Sequence, residues 1–293
     1  MDNFTAGFVA ILGKPNVGKS TLLNLLLGEK ISIISCKPQT TRHQIKGIFT
    51  DDKRQIVFVD TPGYLLPRYE LHNKMLEYLH NAIKDADVHV FITDAISFPT
   101  QYDELLLQLL KNFSTPKIAI LNKIDLTNEE VIREKKQKLS QFPFSAILET
   151  SLHDAFDVNA FLDAVTDILP VNPPFYPPEH ISDLPMRFFA QEIIREKIFD
   201  IFKEEIPYST TVTVEEYKEL YNKIDIMANI WIERKSQKPI IIGTKGENIS
   251  KIRKQSEHEL YRILNKRISL HIWIKVKPNW RKKKNAIKEL GYL

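Results

Sequence analysis

Phe8-Val9-Ala10-Ile11-Leu12-Gly13-Lys14-Pro15-Asn16-Val17-Gly18-Lys19-Ser20-Thr21 is the stretch from which the rest of the chain can be read. The apolar run 8–12 predicts a buried strand. Gly13, Gly18, Lys19 and Ser20 then fall in the order GxxxxGKS, and Leu22, Leu23, Leu25 and Leu26 open a helix. Glycines in this setting let backbone N–H groups converge on a phosphate. The lysine reaches the β and γ phosphates, and the serine hydroxyl serves Mg²⁺. A ligand-free glycine turn is the alternative, and the complete motif between a strand and a helix argues against it.

Outward from this loop the pattern alternates. Residues 31–42 carry few periodic apolar positions and read as an exposed loop. Residues 44–50 and 55–60 flank the polar turn Asp51-Asp52-Lys53-Arg54 and predict an antiparallel hairpin at a sheet edge. Helices are predicted near 71–84, 102–113, 128–141 and 158–169, and strands at 88–93, 117–121 and 146–149. Such alternation predicts an α/β domain with a mostly parallel sheet and ligands at the C-terminal strand ends.

Two further motifs lie at those ends, Asp60-Thr61-Pro62-Gly63 and Asn122-Lys123-Ile124-Asp125. Each is weak alone, but together and in this order they are strong. Guanine offers N1–H and a 2-amino group to one carboxylate, whereas adenine would set a lone pair against it, so Asp125 points to GTP. Asn122 and Lys123 would brace that loop and cover the ring. The alternative for Asp125 is a helix N-cap ahead of the next segment.

The 293 residues suggest two domains, and 43% hydrophobic residues suffice for two cores. The single cysteine, Cys36, excludes an intramolecular disulfide framework, fits a reducing compartment and is given no chemistry. No targeting segment and no apolar run of about 20 residues is evident, so a cytoplasmic protein is expected. Net charge is +4, but residues 181–293 hold 23 Lys+Arg against 15 Asp+Glu, leaving residues 1–180 acidic. A polyanionic partner at the basic end is one reading, and a solvated surface is the other.

Five prolines between Pro170 and Pro178 predict a semi-extended linker over 170–184, dividing domain 1–169 from domain 185–293. Beyond it, residues 186–205 predict an amphipathic helix stopped at Pro207, followed by strands at 210–217 and 226–234. Next come Ile240-Ile241-Ile242-Gly243-Thr244-Lys245-Gly246 and a helix with Ile249, Ile252, Leu260 and Ile263 on one face. An alternating strand at 268–277 and a basic helix at 281–290 end the chain. This order is similar to an α+β type II KH domain, in which GxxG lets a single-stranded RNA backbone approach closely. Gly243, Thr244, Lys245, Gly246, Lys251, Arg253 and Lys254 are the expected RNA contacts, and a ligand-free tight turn is the alternative.

The motifs Gly13 to Thr21, Pro38-Gln39-Thr40-Thr41-Arg42-His43, Asp60 to Gly63 and Asn122 to Asp125 together resemble the bacterial Era GTPases of the TrmE, Era and Obg class. The resemblance covers nearly the whole chain. It implies GTP/GDP and Mg²⁺ as cofactors, with Gly13, Asn16, Val17, Gly18, Lys19, Ser20, Thr21, Asp60, Gly63, Asn122, Lys123 and Asp125 at the nucleotide. Ser20, Thr41 and Asp60 are assigned to Mg²⁺, with Thr40 the near alternative to Thr41. A second base contact is expected from Ser151 and the Leu152 N–H, although Leu152 departs from the usual small residue.

Where a Ras-like enzyme places a water-orienting glutamine, this chain has Tyr64-Leu65-Leu66. The resemblance therefore implies slow hydrolysis without a side-chain base there. Catalysis falls to Lys19, Thr41, Asp60, the Gly63 amide and K⁺ held in part by Asn16; a turn former after Pro15 is the plainer reading of Asn16. It further implies the 3′ region of 16S rRNA and the small ribosomal subunit as partners and a role in 30S maturation. Separately, a monomer is expected, and the basic domain leaves a peripheral membrane contact open. Two rivals stand beside this reading: an RNA-binding structural module whose nucleotide serves only stability, and a GTPase docking protein or membrane through its basic domain.

Overall fold

The computed structural model describes residues 4–35 and 37–292, so Cys36 lies outside the described residues. Contacts divide the chain into unit 1, Met1–Leu66 with Met75–Asp183, and unit 2, Pro67–Lys74 with Leu184–Leu293.

In unit 1 the order is β1 (Thr5–Leu12), α1 (Lys19–Leu27), β2 (Ile45–Thr50), β3 (Arg54–Asp60), α2 (Glu70–Asp85), β4 (Val88–Asp94), α3 (Gln101–Leu110), β5 (Lys117–Asn122), α4 (Glu129–Leu139), β6 (Ala146–Glu149) and α5 (Val158–Thr166). Helix α2 starts within the segment grouped with unit 2. The sheet order is β2-β3-β1-β4-β5-β6, parallel except for β2, which pairs antiparallel with β3 at the edge. Central strands β3, β4 and β5 are buried at every residue, as expected of a sheet covered on both faces. Since β1 sits between β3 and β4, the sheet reverses its winding direction beside β1, and the loop after β1 opens at that switch point. The register aligns the motif ends: Ile11 opposes Asp60 and Asp94 opposes Asn122.

The helices start where their caps dictate. Thr100 and Asp103 form a reciprocal capping box at α3, while Asn128 and Asp157 accept backbone N–H bonds at α4 and α5. The cap of α4 is thus Asn128, three residues past Asp125.

The proline-rich segment, expected as a semi-extended linker, is held against β2 and β3. Gln55, fully buried, accepts from the backbone N–H groups of Phe175 and Tyr176 at 2.6 and 2.9 Å and donates to Tyr176 O at 2.8 Å. Ile48 N–H donates to Ile181 O, Ser182 Oγ donates to Lys46 O, and Lys46 pairs with Asp183 at 2.8 Å. Short of N–H donors, this stretch makes a backbone bond of its own from His180 N–H to Pro177 O and is held on β2 and β3 as a strap. The compact division falls at Asp183/Leu184.

Unit 2 continues with α6 (Met186–Ile201), α7 (Ile206–Ser209), β7 (Thr211–Glu219), β8 (Lys223–Ile232), α8 (Gln237–Ile242), α9 (Glu247–Leu264), β9 (Arg267–Val276) and α10 (Lys284–Glu289). The long helix ends at Ile201 rather than at Pro207, and Pro207 instead opens the single turn of α7, where its missing N–H costs nothing. Strand order is β7-β8-β9, antiparallel then parallel. Apolar side chains of alternating strand positions, among them Ile224, Ile226, Ile230 and Leu270, pack on Ile194, Ile198, Ile252 and Leu260 from the helices. Ile263, expected on the buried face of α9, is exposed. The basic C-terminal stretch is a short turn at Trp280–Lys282 followed by α10. It is anchored by Trp280, which is fully buried, donates Nε1–H to Ser209 O at 2.9 Å and stacks on Tyr292.

Candidate functional site

The loop between β1 and α1 is held from both sides. Gly18 caps α1 at φ 110°, a conformation costly for any residue with a Cβ, and a Cβ there would also meet Asn122 Nδ2 at 2.6 Å. A Cβ on Gly13 would lie 2.2 Å from Ile92 O. Beneath the loop Lys14 is buried, with its ammonium 2.7 Å from Asp103 and 3.7 Å from Asp94. Asp103 is fully buried and also accepts from Thr93 Oγ1 and Thr100 Oγ1. This charged base was not foreseen, because its members are scattered over three elements. It fixes Lys14, whose carbonyl accepts from Lys19 Nζ at 2.8 Å.

Lys19, Ser20, Thr41 and Asp60 converge. Ser20 Oγ donates to Asp60 Oδ2 at 2.7 Å and lies 2.9 Å from Thr41 Oγ1, whereas Thr40 Oγ1 donates to Lys37 O. The structure thus places Thr41, not Thr40, against Ser20. Ser32 also donates to Asp60 Oδ2, at 2.8 Å, and was missed because an isolated serine in a loop carries no spacing. Asn24 holds this part of the loop to α1, accepting from the N–H groups of Ile31 and Ser32 and donating to Ser32 O.

Two hydroxyls and a carboxylate at such distances suit a hard cation. Asp60 Oδ1 supports the fit, being buried with no hydrogen-bond partner among the described residues. Burial pushes the Asp60 carboxyl up, against the Lys19 charge that pulls it down.

Burial also lowers Lys19 to about 8, with the Asp60 charge opposing the shift. The free Lys19 ammonium therefore gives up its proton more readily than an exposed lysine does, while a bound polyphosphate favours the charged form. Nucleotide binding near pH 8 should be accompanied by proton uptake at this group, the charged form being favoured in the complex. Calorimetry in two buffers of different ionisation heat measures it, and uptake should vanish in Lys19→Arg, whose guanidinium stays charged.

The cleft above these groups, about 460 Å³, is lined by Asn16, Gly18, Lys19, Ser20, Thr21, both threonines 40 and 41, Gly63, Asn122, Lys123 and Leu152, with His153 at its rim. Val17 is buried beneath it. Asn16 has φ 64°, and its carbonyl accepts from Lys123 Nζ at 2.8 Å. Tyr64 N–H donates to Gly13 O and Leu65 is buried, while Leu66 is exposed, so this stretch supplies no polar side chain apart from the Tyr64 hydroxyl.

At the base end Asn122 Nδ2 donates to Val17 O at 2.8 Å, and Asn122 Oδ1 accepts from Leu152 N–H at 3.1 Å. That amide, expected to reach guanine O6, is engaged in bracing Asn122. Ser151 Oγ bonds Asp154, closing the same turn. Asp125 is exposed in the turn Ile124–Leu126, and since Asn128 caps α4, the capping role does not account for Asp125.

In unit 2 the GxxG turn joins α8 to α9. Gly243 has φ 75° and ψ 173°, and a Cβ there would meet Asn248 N at 2.9 Å; only glycine fits. Thr244 and Lys245 are exposed, and Gly246, at φ 80°, caps the 18-residue α9. Beside the turn a groove of about 330 Å³ runs between Ile249, Ser250 and Arg253 of α9 and Leu270 to Trp273 of β9. Lys251 and Lys254 lie elsewhere, with Lys197, Asp200, His258 and Arg262 along the α6 side of α9. Of the three bases expected together, only Arg253 reaches the groove, because two residues along a helix turn a side chain by about 200°.

The family described as 50S ribosome-binding GTPase matches residues 8–123, and the KH domain family matches residues 205–281. A structure of Era with MgGDPNP and nucleotides 1506–1542 of 16S ribosomal RNA is 36% identical over 99% of both chains, at a TM-score of 0.94. The chain belongs to the Era family of GTPases. A point variant of Aquifex aeolicus Era bound to GDP and tetrafluoroaluminate gives 36% identity, 99% coverage of both chains and a TM-score of 0.93. An Era-family GTPase carries its nucleotide chemistry on the loop after β1, and the positions described above supply each residue type that loop requires.

Proposed function

We propose that this GTPase acts as a switch on the small ribosomal subunit, binding the 3′ region of 16S rRNA through its KH domain during subunit maturation. The observation that carries this reading is the GxxG turn at the head of α9, beside a groove, in a chain that also holds a complete phosphate site. The likeness to an Era chain crystallised with both a GTP analogue and that RNA supports it. The work is then cytoplasmic. The basic half would also draw the protein toward anionic lipid, which co-sedimentation with vesicles measures.

Ser20, Thr41 and Asp60 would hold Mg²⁺, which neutralises charge on the phosphates when bound. Lys19 places a cation at the β and γ phosphates. The Gly63 backbone, which packs against Pro15 and lines the cleft, would offer its N–H to the γ phosphate. Loss of that phosphate would release both Thr41 and Gly63, making nucleotide state legible on the surface. Asp125 would accept guanine N1–H and the 2-amino group, with Asn122 and Lys123 holding the turn.

No glutamine stands after Gly63, so the developing charge needs another partner. We assign K⁺ to Asn16, which has a left-handed backbone and lines the cleft. Hydrolysis in KCl should exceed that in NaCl at least about tenfold, and Asn16→Ala should remove most of the difference. Equal rates in the two salts would dismiss the assignment. The RNA reading itself is tested by equilibrium binding of the full chain to a 16S 3′ fragment against an unrelated single strand. Equal affinities for the two would contradict it.

A further inference from the structure

The three-stranded sheet of unit 2 packs its apolar face on α6 and α9, and its other face carries Met227, Asn229 and Trp231 of β8 beside His271, Trp273 and Lys275 of β9. Register sets Met227 opposite His271, Asn229 opposite Trp273 and Trp231 opposite Lys275. Trp273 is 48% exposed and Met227 39%. The His271 and Trp273 rings stack at 6.2 Å, and the ammonium groups of Lys275 and Lys277 lie 5.4 and 5.7 Å from the Trp231 ring centre. Trp231 Nε1–H donates to Thr213 Oγ1, which holds the indole in place.

Aromatic faces set among cations are the chemistry that takes bases and phosphates of a single strand. Charge on this face is divided. Strand β7 brings Glu215 and Glu216 to it, with Glu216 paired to Lys218, and β8 brings Asp225, paired to Lys223, at the far end from Trp231. The cations over Trp231 come from β9, although Lys277 also pairs with Glu289. The end of the β8–β9 face at Trp231 is therefore where a polyanion meets cations, Lys275 and Lys277, beside an aromatic ring. The groove beside GxxG and this face are contiguous, since His271 and Trp273 belong to both.

We propose that the β8–β9 sheet face is a second RNA subsite: nucleotides leaving the groove cross the β9 edge at Trp273 and stack on Trp231 between Lys275 and Lys277. This rests on the RNA-binding reading above and extends its footprint beyond the roughly four nucleotides a KH groove clamps.

The test compares an RNA of about four nucleotides with one of about ten, using wild type, Trp231→Ala, Lys275→Glu and Gly246→Asp, with thermal unfolding as the folding control. Trp231→Ala and Lys275→Glu should each weaken the longer RNA roughly 5- to 100-fold, with the loss confined to that RNA. Gly246→Asp should weaken both. Trp280 is buried, so in Trp273→Phe the fluorescence change on adding RNA reports Trp231, and the longer RNA alone should quench it. If the longer RNA binds wild type and Trp231→Ala equally, the second subsite is wrong while the RNA reading stands. If wild type binds neither RNA, the RNA reading fails and takes the subsite with it. Self-association of wild type that Trp231→Ala abolishes would assign the face to a second copy and overturn the proposal.

Discussion

Asp125→Asn should lower GTP affinity by about 10² to 10⁴-fold and transfer preference toward xanthosine triphosphate. Guanine presents two donors to one carboxylate, and each hydrogen bond to a charged partner contributes about 1.5–3 kcal/mol. An asparagine can accept only one of them and turns its own N–H₂ on the guanine amino group. Xanthine replaces that amino group with a carbonyl, which the asparagine N–H₂ can satisfy. The fold should be indifferent, because Asp125 is exposed and α4 is capped by Asn128. Competition binding against guanosine, adenosine and xanthosine triphosphates measures the change. An unchanged order of preference would mean that another group reads the base.

Gly246→Asp should reduce RNA affinity at least about a hundredfold while leaving unit 1 intact. Two effects combine. A side chain at this position obstructs the approach of a phosphate to the N–H groups at the head of α9, and a carboxylate occupies with negative charge the place where the helix end favours an anion. The local cost is small for two reasons: nothing lies within 4 Å of an added Cβ there, and aspartate tolerates the left-handed backbone at φ 80° better than most residues. Gly243 makes a poorer test, since a Cβ at that position meets Asn248 and would disturb the turn itself. RNA titration reads the effect, with thermal unfolding and RNA-free GTP hydrolysis as controls for folding. Retained affinity would remove GxxG from the RNA site.

What could be read in the chain before its structure was known follows from periodicity and spacing. The loop after β1, the edge hairpin of β2 and β3, and the motif ends at Asp60 and Asn122 all come from apolar runs interrupted at fixed intervals, and chain order alone places them at one end of a parallel sheet. Contacts made by lone polar residues across long separations were not legible. Ser32 reaches Asp60, Lys14 reaches Asp103 and Gln55 holds the backbone of residues 175 and 176, and none of these has a spacing that announces its partner. Composition marks the proline-rich segment as a spacer for the same reason: it shows a scarcity of N–H donors, but not that a buried glutamine on β3 receives the chain. On α9 the face that each base takes is not legible in the sequence. Lys251, Arg253 and Lys254 are neighbours in sequence, yet helical rotation sends Arg253 to the groove and the lysines toward α6. The alternation of β9 was plain, and so was its polar side; that Trp231 would share that side depended on the parallel register of β8 and β9.

The central claim is that one chain couples a guanine nucleotide site to recognition of the 16S rRNA 3′ end. The measurement that tests it most directly is nucleotide-resolved footprinting of small-subunit rRNA with the full chain held in GTP-analogue and GDP states. Protection confined to the single-stranded 3′ region, differing in strength between the two states and lost in Gly246→Asp, is the expected result. Protection elsewhere, or identical protection in both states, would contradict the account.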